Sequence, residues 1–314
     1  MADPREALVA VRAEVAKVVV GHDDVVTAVL AALLLGGHVL LEGVPGTAKT
    51  LLAKALGAAL DLDVSRVQFT PDLMPTDVSG NLVLEGSKLV FRPGPVFCNI
   101  LLADEINRTP PKTQAALLEA MEERQVTMHG KAHPLPLPFV VMATQNPVEY
   151  EGTYPLPEAQ LDRFLFKVPV GYPDEERERE VVRRHHHGLD PHDLAGSGVT
   201  AVAGAAEIAA GADAVAGVDV EEPVLAYVVS LARATRESPS LSLGVSPRGS
   251  TALLKAAKAA AWLEGSDFVT PDHVKLVARL VFRHRVIVRP EVELEGTSAD
   301  GVLDGILAAV PVPR

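Results

Sequence analysis

Residues 40–50 read L-L-E-G-V-P-G-T-A-K-T, an apolar run that turns through glycines into the start of a helix. Gly43, Gly46, Lys49 and Thr50 are set out after the phosphate-cradling pattern G-x-x-x-x-G-K-[ST]. Glycines let backbone N–H groups converge on phosphate oxygens, Pro45 stiffens the turn, and a helix beginning near Lys49 adds the positive end of its dipole. In this reading Gly43, Pro45, Gly46, Thr47, Ala48, Lys49, Thr50 and Leu51 make the nucleotide cradle. Lys49 sits against the β- and γ-phosphates and the Thr50 hydroxyl holds Mg²⁺.

Working outward, residues 5–19 carry Leu8, Val11 and Val15 on one stripe of an amphipathic helix that ends at Val20 and Gly21. With the apolar helix over 23–35, this joint either flanks the base of a bound nucleotide or is a plain helix junction; spacing alone leaves both open. Residues 51–60 form an Ala- and Leu-rich helix, which places the loop at a strand-to-helix switch of an α/β sheet.

Residues 100–105, I-L-L-A-D-E, fit a strand covered on both faces with two carboxylates at its C-terminal edge. Asp104 is placed to order Mg²⁺ and its water shell, and Glu105 to polarise the water that attacks a γ-phosphate. Residues 139–144, F-V-V-M-A-T, are another buried strand; Asn146 beyond it either holds that water or makes a turn with Pro147. Two hairpins are expected, around Gly86-Ser87 and Gly130-Lys131.

Residues 158–164, E-A-Q-L-D-R-F, read as a short helix. Arg163 there either pairs with Asp162 or Glu158 on a surface, worth about 0–1 kcal/mol, or reaches the γ-phosphate of a neighbouring subunit, worth about 10³–10⁵ in rate. From Pro173 onward the character is helical and charged. His185, His186 and His187 read as a solvated helix end rather than a metal site, because sequence neighbours on a helix point in different directions. Residues 190–220 are rich in Ala and Gly and carry little signal. Ser246-Pro247 caps a helix whose first turn carries Arg248, a cation that opposes the dipole by about 0.3–1 kcal/mol and that phosphate contact would explain. Thr270-Pro271 starts a final clear helix.

The 314 residues are 48% hydrophobic, enough for sizeable cores. A net charge of −12 argues against a dominant nucleic-acid surface. The single cysteine, Cys98, excludes an intramolecular disulfide and suits a reducing cytoplasm. Gly36, Gly37 and His38 break the apolar run over 25–41, so no membrane insertion is expected, and M-A-D-P-R-E lacks a basic region followed by an apolar stretch, so no secretory signal is expected.

Together G-V-P-G-T-A-K-T, I-L-L-A-D-E-I-N-R, A-T-Q-N-P, L-D-R-F and S-P-R, with F-R-P-G-P-V-F ahead of the acidic strand, resemble an AAA+ ATPase of the MoxR family in order and spacing. The resemblance implies an α/β P-loop domain with a parallel sheet and inserted β-hairpins over residues 1–172, then a smaller all-helical lid over 173–314. It implies ATP and Mg²⁺ as cofactors and a homo-oligomeric ring, hexameric, with sites shared between subunits. Lys49, Thr50, Asp104 and Glu105 match its Walker positions, Asn146 its sensor 1, Arg163 its arginine finger, and Arg248 its sensor 2, serving its own subunit or the next. The hairpins match the helix-2 insert and the insert before sensor 1. Such families are chaperone-like remodellers of a protein client, often with a partner containing a von Willebrand factor A domain. The alternative is a DNA-dependent motor, for which Lys88, Arg92, His129, Lys131 and His133 are the few available charges. A GTP switch lacks its N-K-x-D motif, and a small-molecule kinase has no need of Glu105.

Overall fold

The computed structural model describes residues 3–313 except 45, 147–151, 192 and 195. Pro45 and Pro147, both named from the sequence, lie outside the described residues.

The chain begins with helix α1 (Pro4–Ala16), which starts where the Asp3 side chain accepts the Arg5 amide at 2.9 Å. Helix α2 (Asp23–Leu35) is apolar almost all round, and nine of its residues are buried, as expected of a helix inside a layered core. Strand β1 (Val39–Gly43) leads into the phosphate loop and helix α3 (Lys49–Leu60). Strand β2 (Val64–Gln68) and the short helix α4 (Pro75–Ser79) follow.

Strands β3 (Gly80–Glu85) and β4 (Lys88–Pro93) form the first expected hairpin, paired Gly80 to Pro93 through Glu85 to Lys88. Strand β5 (Ile100–Asp104), helix α5 (Pro111–Glu123) and the second hairpin, β6 (Gln125–Met128) with β7 (Lys131–Pro134), come next. The two-residue turn His129-Gly130 has φ 48° and 77°, the paired positive values that match the twist of the strands it joins. Phe91 of β4 stacks on His133 of β7 at 3.9 Å between ring centres, so the hairpins lean on one another.

Strand β8 (Val140–Gln145), strand β9 (Phe166–Val170) and helix α7 (Glu175–His186) complete the α/β layer, and the short helix α6 (Glu158–Leu161) lies between β8 and β9 in sequence. The sheet order is β2-β5-β8-β1-β9, and β2/β5, β5/β8 and β8/β1 are parallel. Its three central strands, β1, β5 and β8, are apolar without alternation because helices cover both faces; Val39, Leu40, Leu41, Ile100 and Leu101 are all fully buried. The register sets Asp104 beside Gln68, and Leu41 beside Thr144, so the carboxyl ends of β1, β5 and β8 come together, where ligands bind in open α/β sheets.

The remaining elements are α8 (Ala205–Ala216), α9 (Glu222–Glu237), strand β10 (Leu241–Leu243), α10 (Pro247–Leu263), α11 (Pro271–Phe282), strand β11 (Ile287–Val288), α12 (Pro290–Leu294) and α13 (Ala299–Ala309). Helix α8 falls in the stretch whose composition carried little signal. The small β10/β11 pair and an isolated bridge between Asp219 and Phe268 depart from an all-helical segment.

Two compact units result: residues 1–156 with 168–209, and residues 157–167 with 210–314. This grouping differs from the division at 172/173 expected from composition, and a buried arginine accounts for part of it. Arg285, at the end of α11, donates Nε to Asp162 Oδ1 at 2.6 Å and its Nη atoms to the carbonyls of Asp162, Phe164 and Leu165 at 3.1, 2.8 and 3.2 Å. His284 Nε2 lies 2.9 Å from the Phe164 carbonyl. The segment that carries Arg163 is thereby part of the helical second unit.

Candidate active site

Helix α3 opens without help from any side chain. Its N-cap, Ala48, makes no capping bond, and no acidic residue lies in the first turn, so the helix N-terminus is left for an outside anion. Ala48 stands where the G-x-x-x-x-G-K-[ST] pattern has its second glycine, a correction to a reading that rested on Gly46. Its φ of 56° is the left-handed value a glycine supplies without strain, and alanine reaches it at about 1–2 kcal/mol. Gly43 meets a different demand: a Cβ there would lie 2.1 Å from the Val170 carbonyl of β9, so only glycine fits.

The Lys49 ammonium donates to the Gly43 and Val44 carbonyls at 2.9 and 3.0 Å, which folds the loop over the lysine. Burial pulls the Lys49 pKa down, and the nearby Asp104 and Glu105 carboxylates oppose that pull. Thr47 Oγ1 closes the loop by donating to the Val44 carbonyl at 3.2 Å.

Asp104 and Glu105 are consecutive, and in a continuing strand their side chains would face opposite sides. Glu105 has φ 56°, which ends β5 and turns its side chain toward the same cavity as Asp104. Thr144 on β8 secures both: its hydroxyl donates to Asp104 Oδ1 at 2.6 Å and accepts the Glu105 amide at 2.8 Å. Arg66 pairs with Asp104 Oδ2 at 2.8 Å, while Glu105 Oε2 meets Arg108 Nε and Gln68 Nε2, each at 3.0 Å.

Lys49, Arg66, Gln68, Asp104, Glu105 and Thr144 line one cavity of about 620 Å³. Of the residues named from sequence it gathers Gly43, Gly46, Thr47, Ala48, Lys49, Thr50, Leu51, Asp104, Glu105 and Asn146. Gly21 lines a neighbouring cavity of about 440 Å³ with His22 and Arg177, and His22 hydrogen-bonds the Thr47 backbone of the loop. Burial pulls the His22 pKa down, while Asp24 and that hydrogen bond hold it up. Val20 lines a further cavity together with Arg177 and Glu180 of α7. Arg163 and Arg248 belong to the second unit, where Arg248 Nε lies 3.9 Å from Asp162 Oδ2. Arg66, Gln68, Thr144 and His185 also line the main cavity, and none was singled out for it from the sequence. The signal for Arg66 and Gln68 was the two-residue strand period, which puts both on one face.

The donor set suits magnesium nucleotide. Thr50 and Asp104 offer hard oxygen to one cavity with an uncapped helix N-terminus and a lysine. Among the described residues no group of three or more His, Cys, Asp or Glu is placed to hold a metal ion.

The profile of the ATPase family associated with various cellular activities (AAA) matches residues 38–166, and that of the AAA lid domain matches 233–306. The uncharacterized protein YeaC of Bacillus subtilis is 47% identical, covering 95% of this chain and 92% of its own length. Chaperone MoxR1 of Mycobacterium tuberculosis is 42% identical, covering 96% and 81%. A crystal structure of a candidate ATPase from Cytophaga hutchinsonii superposes with a TM-score of 0.90 at 40% identity, over 99% of this chain and 96% of that one. With this likeness running through both units and with the α/β sheet and helical lid in place, the chain belongs to the MoxR family of AAA+ ATPases.

Proposed function

We propose that the chain hydrolyses ATP in the cavity at the ends of β1, β5 and β8 and uses the energy to remodel a protein client. One observation carries the reading. The left-handed Glu105 brings a second carboxylate into the cavity that already holds Lys49, Thr50 and Asp104. Lys49 holds the terminal phosphates, Glu105 takes a proton from the attacking water, and Asn146 orients that water. Thr50 and Asp104 would hold Mg²⁺, which when bound offsets phosphate charge. Gly21 and Val20 flank the base.

The family as a whole is one of nucleotide-binding ATPases that oligomerise, and that supports a ring of six copies acting in the cytoplasm. In it Arg163 reaches the neighbour's nucleotide and Arg248 lies on the same unit as Arg163. A protein carrying a von Willebrand factor A domain is the partner we expect. No described helix is long and apolar enough to cross a membrane. The chaperone name of MoxR1 supports a protein client over DNA.

The test is Glu105→Gln. It should keep ATP binding while turnover falls about 10²–10⁴-fold, and its ATP-locked form should retain client in a pull-down. Near-normal turnover would remove Glu105 from this role.

A further inference from the structure

Strand β2 ties the two carboxylates of the cavity to each other. Arg66 and Gln68 are two residues apart, so they project from one face of the strand while Val67 between them is buried on the other. Arg66 Nη2 donates to Asp104 Oδ2 at 2.8 Å and to Gln68 Oε1 at 2.7 Å. Gln68 Nε2 donates in turn to Glu105 Oε2 at 3.0 Å. The contacts run unbroken from Asp104 through Arg66 and Gln68 to Glu105.

The two partners of this ion pair differ in exposure. The Arg66 side chain is 47% exposed, while that of Asp104 is 16% exposed. A half-buried carboxylate needs a cation, and here a long, half-solvated side chain supplies it. Asp104 Oδ1 is committed to the Thr144 hydroxyl, so Oδ2 is the oxygen with an exchangeable partner. A guanidinium and a divalent cation at one carboxylate repel each other. Withdrawal of Arg66 would also leave the Gln68 carboxamide oxygen without its donor and loosen the amide that holds Glu105.

We propose that Arg66 is a positioning residue that stands in for the metal at Asp104 and withdraws when magnesium nucleotide binds, passing that change to Glu105 through Gln68. The proposal rests on the cavity being a magnesium–nucleotide site. An ordinary surface ion pair, worth little, is the competing account of Arg66.

The experiment measures binding of the non-hydrolysable analogue β,γ-imido-ATP to the full chain by calorimetry across a magnesium series. For Arg66→Gln the magnesium concentration giving half-maximal enhancement of binding should fall about 5-fold or more, because the competing cation is gone. Arg66→Lys keeps the charge and should stay near the unmodified protein. The turnover losses of Arg66→Gln and Gln68→Ala should be less than additive in the double variant. An unchanged or raised magnesium requirement in Arg66→Gln, a lysine variant that behaves like the glutamine one, or additive losses would each overturn the proposal. Nucleotide binding by the unmodified protein that ignores magnesium would overturn the site reading itself, before any variant is compared.

Discussion

The Thr144 hydroxyl lies 2.6 Å from Asp104 Oδ1 and receives the Glu105 amide at 2.8 Å, so one buried side chain on β8 sets both carboxylates at the end of β5. Valine has the same shape without the hydroxyl. Thr144→Val should therefore lower stability by about 1–3 kcal/mol, the cost of two buried groups losing a partner. ATP turnover should fall about 10–100-fold with nucleotide affinity little changed, since the loss is one of placement. Steady-state kinetics with a nucleotide titration checks both; a large loss of affinity with normal kcat would contradict this.

The proposed sharing of sites between subunits predicts complementation. Arg163→Ala alone should lose about 10³–10⁵ in turnover, and Lys49→Ala alone should not bind nucleotide. In the proposed ring, mixed assemblies would contain some sites with an intact Lys49 facing an intact Arg163, so activity should partly return on mixing. Co-assembly without recovery would rule out delivery of Arg163 across the interface.

Asp162 neutralises Arg285, whose side chain is 4% exposed. Burial pulls the Arg285 pKa down, and the Asp162 carboxylate opposes it. Asp162→Ala strands a buried cation and should cost about 3–5 kcal/mol. Asp162→Asn keeps an acceptor at the same place and should cost less. Urea unfolding of the two variants compares them directly; equal, small effects would show that Arg285 is held by backbone carbonyls alone.

His38 should make stability sensitive to acid. Its Nδ1 accepts the Val141 amide at 3.0 Å and its Nε2 lies 3.1 Å from the Met121 carbonyl, a pattern open only to the neutral ring. Full burial pulls its pKa from 6.5 to about 4. The unfolded chain takes the proton more readily, so this stabilisation is complete above pH 6.5 and is lost as pH falls toward 4, by about 3 kcal/mol at most. Urea midpoints between pH 7 and 4 should fall more steeply for the natural chain than for His38→Gln; parallel slopes would place the acid sensitivity elsewhere.

Cys98 is buried, and burial pushes its thiol up to about 12. It should resist iodoacetamide at pH 8 in the native protein and react on addition of denaturant. Rapid native labelling would mean that β5 and its surroundings open far more often than their packing implies.

Most of the first unit was legible because its signals are local. A buried strand is a run of apolar residues, a phosphate loop is glycine spacing before Lys-Thr, and a hairpin is a turn residue between alternating segments. The β1-to-α3 switch, β5 with its two carboxylates, both hairpins and the capped starts of α10 and α11 all follow from preferences that span a few residues. Helix α8 was not legible, since Ala and Gly mark no face. Ala48 was named in the cradle, but its left-handed backbone was not legible because the loop around it imposes it.

By itself the sequence determined which short elements form and which side chains carry charge at their ends. Tertiary structure alone decided the company those side chains keep. Register between β2 and β5 brought Arg66 and Gln68 to Asp104 and Glu105, β8 supplied Thr144, and Arg285, more than a hundred residues downstream, drew the Arg163 segment into the helical unit. The physical reason is range: backbone preference acts over one or two turns of chain. The pairing of a half-buried carboxylate depends on whichever strand or helix end the whole fold packs beside it.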